Sequence, residues 1–192
     1  MEKKDLFETY FEKLKLCDVS EESCQKLREC FGDLMHIASY HTKNDYGLAY
    51  EGSMIETVLT KLASFAVKLN DIYPEQVRVD KKSLIKICLL QHISKANRFI
   101  KSTDEWRANK LGEIYTYTNG MPAIGIGLHS LMIAVDCGIQ FTPFEAEAMT
   151  IIDRSDDDMQ AKYHSSMLSN IVKQANDMVL QYCTEVKTIK KT

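Results

Sequence analysis

Lys81-Lys82-Ser83-Leu84-Ile85-Lys86-Ile87-Cys88-Leu89-Leu90-Gln91-His92-Ile93-Ser94-Lys95-Ala96 is the stretch whose pattern decides the fold class. Its apolar residues, Leu84, Ile85, Ile87, Cys88, Leu89, Leu90 and Ile93, fall nearly all the way round a helical wheel. A helix with no wet face has to be surrounded by other elements. The spacing predicts a central helix from about 81 to 96, with the polar residues at its C-terminal end close to the core.

Amphipathic helices able to surround it stand on both sides. Leu6, Phe7, Tyr10, Phe11 and Leu14 repeat at helical spacing, and Ser20 is placed to cap a second helix carrying Leu27, Phe31, Leu34 and Met35. Ile55, Val58, Leu59, Leu62, Phe65, Ala66 and Leu69 define a third, which stops before Asp71-Ile72-Tyr73-Pro74 because proline disfavours helix at the residue before it. Helical pattern returns at Leu128. Thr142-Pro143-Phe144-Glu145 reads as a capping box with proline at the first helical position, and the acidic run Asp153 to Asp158 ends that helix. A last long helix carries Leu168, Ile171, Val172, Ala175, Met178, Val179 and Tyr182 on one face, then a basic tail at Lys187, Lys190 and Lys191.

The period changes once. Glu113-Ile114-Tyr115-Thr116-Tyr117-Thr118 is rich in β-branched and aromatic residues, and Asn119-Gly120 separates it from Met121-Pro122-Ala123-Ile124-Gly125-Ile126-Gly127. Asn-Gly between two such runs predicts a hairpin with a type I′ turn. An irregular loop is the competing form, since Pro122 weakens the second strand. The expected fold class is all-α, a helical bundle with one small β-hairpin insertion.

At 192 residues and a net charge of −3, the chain fits a single domain spanning 1–192, with no general attraction for nucleic acid. No apolar run approaches the ~20 residues that span a bilayer. The charged start, Met1-Glu2-Lys3-Lys4-Asp5, is not an apolar signal core, so a cytoplasmic protein is expected. Cys17, Cys24, Cys30, Cys88, Cys137 and Cys183 contain no C-x-x-C pair and sit mostly among apolar neighbours, as reduced structural thiols do.

No complete catalytic or metal-ligand motif is present. His36, His41, His92, His129 and His164 make no H-E-x-x-H pair. Gly125-Ile126-Gly127 lacks the third glycine of a nucleotide loop, and Asp156-Asp157-Asp158 lacks the spaced ligands of an EF-hand and reads as a solvated loop.

Cys88 to Ala96 resembles the signature of the HD-domain phosphohydrolases, Leu-Leu-His-Asp-Ile-Gly-Lys, in which a buried helix ends on two metal ligands. Leu89, Leu90, Ile93 and Lys95 match, whereas Gln91 and His92 stand where His and Asp are expected. Tyr50 to Val58 is similar to the family's Gly-Gly-Leu-Val-Glu-His-Ser helix start, with Thr57 replacing the first ligand histidine. Gln174-Ala175-Asn176-Asp177-Met178 is similar to the stretch carrying the last ligand, and Asp177 survives. Ile126 and Ile152 fall about where relatives place further histidines. The resemblance covers about 35–182, after N-terminal helices within 1–42.

It implies a remnant metal site at Thr57, Gln91, His92 and Asp177, with no metal. A catalytic divalent ion needs several O or N ligands at about 2 Å plus a water, and Asp177 with His92 supplies at most two. The function expected is therefore that of a catalytically degenerate HD-like protein, without catalytic residues or cofactor. Its remnant cleft would bind a phosphate-bearing small molecule such as a nucleotide, or a protein partner. Lys95, Asn97, Arg98, Arg107, Lys110 and Tyr115 are the candidate ligand-binding residues, cations for phosphate beside an aromatic face for a base. The lone tryptophan, Trp106, reads as core filler. Two alternatives stand beside this. One is a divalent-metal-dependent nucleotide phosphohydrolase with non-standard ligands drawn from His92, His129, His164 and Asp177. The other is a structural assembly module, a homo-oligomer with a self-filled cleft.

Overall fold

The computed structural model describes residues 3–154 and 165–189. Helix α1 (Lys3–Leu16) and α2 (Glu21–Phe31) lead into a short α3 (Leu34–Ile37). The Ser20 cap forms, its Oγ accepting from the Ser23 amide at 3.0 Å. The third expected helix runs as α4 (Ser53–Thr57), a π-helical turn (Val58–Leu62) and α5 (Ala63–Ile72). It ends at extended Tyr73, the residue before Pro74, as that proline demands.

The decisive segment forms α6 (Lys81–Leu90), capped by Asp80, whose carboxylate accepts from the Ser83 amide at 2.7 Å. Every residue from Ile87 to Ala96 is buried. α6 packs against α1, α5 and the helices α9 (Ile126–Asp136), α10 (Pro143–Thr150) and α11 (Met167–Ile189), which makes it the expected central helix. The Tyr10 hydroxyl donates to the Leu89 carbonyl at 3.0 Å, a buried tie between α1 and α6. One apolar cluster runs from Phe7 to Cys183.

The helix is shorter than its pattern predicts. It stops at Leu90, passes through four turn residues and resumes as α7 (Lys95–Arg98). The Ser94 amide bonds to Ser130 Oγ at 3.1 Å rather than to the Leu90 carbonyl. The amides of Ile93, Lys95 and Ala96 reach three residues back, tightening the chain.

A small antiparallel sheet does interrupt the helices, but with a different pairing from the expected one. β1 (Phe99–Lys101) and β2 (Tyr115–Tyr117) flank α8 (Glu105–Leu111), with Phe99 opposite Tyr117 and Lys101 opposite Tyr115. Residues 121–127 do not pair with 113–118. A type I′ turn needs positive φ at both central residues, and only Gly120 has it. Pro122 has no amide to donate, and its carbonyl is taken by Arg98 Nη2 at 2.7 Å.

The capping box at Thr142 forms in full: Thr142 Oγ1 accepts from the Glu145 amide at 3.2 Å and Glu145 Oε2 from the Thr142 amide at 2.8 Å. Glu145 also meets Lys86 at 2.6 Å, an ion pair between two largely buried side chains of α10 and α6. α10 gives way to a 3-10 turn (Ile151–Asp153) ahead of the acidic run. Asp156, Asp157, Asp158, His164, Lys190 and Lys191 lie outside the described residues. Among those described, no helix is long and apolar enough to cross a membrane.

Candidate functional site

The turn after α6 opens onto a cleft of about 720 Å³ between that turn, the start of α9, the 3-10 turn and one face of α11. Tyr40, His92, Lys95 and Asn176 form its polar floor, with Ile126 and Ile152 on one wall and Asp177 at its rim.

Tyr40 lies in the irregular segment between α3 and α4, held there because its amide donates to Ser53 Oγ at 2.8 Å and Ser53 Oγ donates to the Leu48 carbonyl at 2.7 Å. Its hydroxyl is 3.0 Å from His92 Nε2 and donates to Asn176 Oδ1 at 3.2 Å. His92 Nε2 is 2.9 Å from the same Oδ1. Asn176 Nδ2 donates to the Val172 carbonyl at 2.9 Å and to Gln91 Oε1 at 3.3 Å, which fixes the oxygen toward the histidine. An acceptor at 2.9 Å places the His92 proton on Nε2, leaving Nδ1 as an acceptor, buried and without a partner among the described residues. Burial, followed by the nearby Lys95 charge, holds the ring well below the usual histidine range. His92 is neutral.

Lys95 is the chemically unusual residue. It is buried, its Nζ donates to the Tyr40 carbonyl at 2.7 Å, and it lies 3.8 Å from the centre of the Tyr40 ring. Among the described residues no carboxylate pairs with it. Burial pulls its pKa down to about 7.

The opposite wall explains Gly125 and Gly127. Asp153 Oδ1 and Oδ2 accept from the Gly127 and Leu128 amides at 3.0 and 2.7 Å, an internal anion on the N-terminus of α9. A Cβ at Gly125 would lie 2.2 Å from the Asp153 Cγ, and one at Gly127 2.2 Å from the Met149 carbonyl oxygen. These glycines admit a carboxylate and a backbone of the protein itself. Of the other charged groups at the rim, Arg154 reaches Glu147 at 3.9 Å.

The sequence-derived residues separate into groups. His92, Lys95 and Asp177 line the cleft, and Gln91 joins its floor through Asn176. Thr57 is buried, with no partner for its Oγ1 among the described residues, and it does not line the cleft. Arg98 is buried and borders a smaller neighbouring hollow with Tyr117, while the Asn97 carbonyl accepts from Thr118 Oγ1 at 2.8 Å. Tyr115 is buried against Ala49 and Phe99. Arg107 and Lys110 are exposed on α8 and line neither hollow, Arg107 facing Asp104 and Glu113. Trp106, expected in the core, is 62% exposed on the same helix.

Sequence reading missed Tyr40 and Asn176. Asn176 carried a signal, because it shares the buried stripe of Val172, Ala175 and Val179, where an unpaired amide would be costly. Tyr40 carried none, since an irregular segment has no period.

Comparison with protein-family models, with curated proteins and with solved structures found no match. Among the described residues, no group of three or more His, Cys, Asp or Glu is placed to hold a metal ion.

Proposed function

We propose that this chain is a catalytically degenerate HD-like protein that binds a small phosphate-bearing molecule, such as a nucleotide, in the cleft over Tyr40, His92 and Lys95. The HD frame is supported by the meeting of Ile126, Ile152, His92 and Asp177 around one cleft, with Gln91 beneath it.

Lys95 carries the binding role. A buried ammonium without a counter-charge is unfavourable, and an anion in the cleft would relieve that cost while restoring the proton. His92 adds an unsatisfied acceptor at Nδ1, suited to a hydroxyl or amino group on the same ligand. A molecule bearing both a phosphate and a hydroxyl meets both needs.

A thermal-shift screen of inorganic phosphate and nucleoside mono-, di- and triphosphates, with and without EDTA, tests this. Stabilisation by at least one of these anions, unchanged by the chelator, is expected. Stabilisation that needs a divalent ion and comes with phosphate release would instead favour the phosphohydrolase alternative.

An assembly role is favoured by one observation. Leu128, Met132 and Val135 recur at i, i+4 and i+7 on α9 and are all exposed. A mass by light scattering above that of one chain, reduced by Met132→Glu, would support it. A cytoplasmic location belongs to the same proposal and is supported by six cysteines free of disulfides.

A further inference from the structure

A second hollow, of about 440 Å³, lies beside the cleft and shares only Ile126 with its lining. The segment that follows β2 makes most of its wall, with Met121, Pro122, Ile124 and Ile126 as apolar lining. The Tyr117 ring, 58% exposed and edge-on to Phe99, stands among them. Two hydrogen bonds tie this segment to α7: the Thr118 amide donates to the Arg98 carbonyl and Thr118 Oγ1 to the Asn97 carbonyl, both at 2.8 Å.

Arg98 is the one charged residue of that lining among those described, and it is only 5% exposed. Its Nη2 donates to the neutral Pro122 carbonyl at 2.7 Å. Among the described residues its Nε has no partner and no carboxylate pairs with the guanidinium. Asp153, whose carboxylate lies against Gly125, accepts instead from the Gly127 and Leu128 amides, and it lines the cleft rather than the hollow. A guanidinium keeps its proton throughout the pH range in which proteins stay folded. Burying it beside one neutral acceptor therefore leaves its charge uncompensated.

We propose that this hollow binds a small carboxylic acid with an apolar tail, the carboxylate on Arg98 and the tail along Met121, Ile124 and Ile126. One fixed cation among apolar walls selects a single anionic head joined to an apolar body. A phosphate dianion would bring a second charge that nothing in the lining answers, whereas a planar carboxylate matches the guanidinium fork. A mostly apolar hollow of this size with one well-placed polar group has the make-up of a small-molecule site. Lys95 takes no part in it, so it stands or falls separately from the cleft.

The test is a titration of the methyl-labelled full chain with hexanoate, followed by NMR, with 1-hexanol and acetate as comparators. Hexanoate should shift the Met121 and Ile124 methyl signals and leave those of Ile152, which lines only the cleft, in place. 1-Hexanol lacks the charge and acetate the tail, so each should bind at least about tenfold more weakly. Arg98→Met should weaken hexanoate binding by the same factor. Met121→Glu puts a carboxylate into the hollow while leaving the hydrogen bonds of Arg98 in place, and should abolish binding even if Arg98→Met fails to fold. No binding of hexanoate by the wild type, shifts centred on Ile152, equal binding of 1-hexanol or acetate, or affinity unchanged in Arg98→Met or Met121→Glu would overturn the proposal.

Discussion

The Tyr40 hydroxyl and His92 Nε2 lie 3.0 Å apart across 52 residues of sequence, and both reach Asn176 Oδ1 from a third part of the chain. The contact joins an irregular segment, the turn after the central helix and the last long helix. Both its polar chemistry and its location in the cleft follow from the break in α6.

Removing Asn176 should therefore cost more than one hydrogen bond. Asn176→Leu removes the acceptor that His92 and the Tyr40 hydroxyl share and the donor to Gln91, and should destabilise the fold by about 2–4 kcal/mol in urea unfolding. Tyr40→Phe removes a single hydroxyl and should cost about 1–2 kcal/mol. Equal effects would mean that the three groups do not act as a network.

Lys95 should leave a pH signature. Its folded pKa of about 7 lies below the ordinary lysine value of about 10.4. Between the two the unfolded chain holds the extra proton, so this group's contribution to stability rises with pH, by up to about 1.4 kcal/mol per unit. Buried thiols with raised pKa values pull the other way above about pH 8.5, where the unfolded chain loses their protons. Comparison with Lys95→Met, where those thiols remain, isolates the amine. The stability of wild type minus variant should climb from pH 7.5 to 9, whereas parallel curves would show that Lys95 is an ordinary solvated lysine.

Gly127 should resist substitution more than its neighbours. A methyl group there meets the Met149 carbonyl, a backbone atom that cannot swing aside. Gly127→Ala should cost about 2–4 kcal/mol, while Asp153→Ala, which removes the cap of α9, should cost about 1–2 kcal/mol. Urea unfolding of both variants decides it, and a neutral Gly127→Ala would contradict the packing described at that helix start.

The single tryptophan gives an inexpensive check on the α8 region. With Trp106 62% exposed, native fluorescence should be red-shifted and readily quenched by acrylamide, changing little on unfolding. A blue-shifted, protected emission would place that side chain in the core.

Much of the helical frame was legible because burial imposes a period. The capping box at Thr142 and the all-round apolar pattern from Leu84 to Ile93 both appear where their residues predict them. The end of α6 was not legible, because it depends on Ser130, which takes the Ser94 amide from 36 residues away. The strand at Tyr115–Tyr117 was readable from its residues, but its partner was not. Phe99-Ile100-Lys101 is too short for alternation to stand out, and Asn119-Gly120 offered a nearer false partner. At the site, His92 and Lys95 were found through a family-like frame. Arg107 and Lys110 were carried along by closeness in sequence, although α8 places them away from the cleft.

The central claim is that an anion binds at the buried Lys95, which no carboxylate pairs with among the described residues. Titration calorimetry of AMP and of inorganic phosphate, with EDTA present, into wild type, Lys95→Met and Lys110→Met tests it most directly. Wild type and Lys110→Met should bind at least one of the two with equal affinity, and Lys95→Met at least about tenfold more weakly, the equivalent of one lost charged hydrogen bond. No binding by wild type, or equal binding by Lys95→Met, would contradict it.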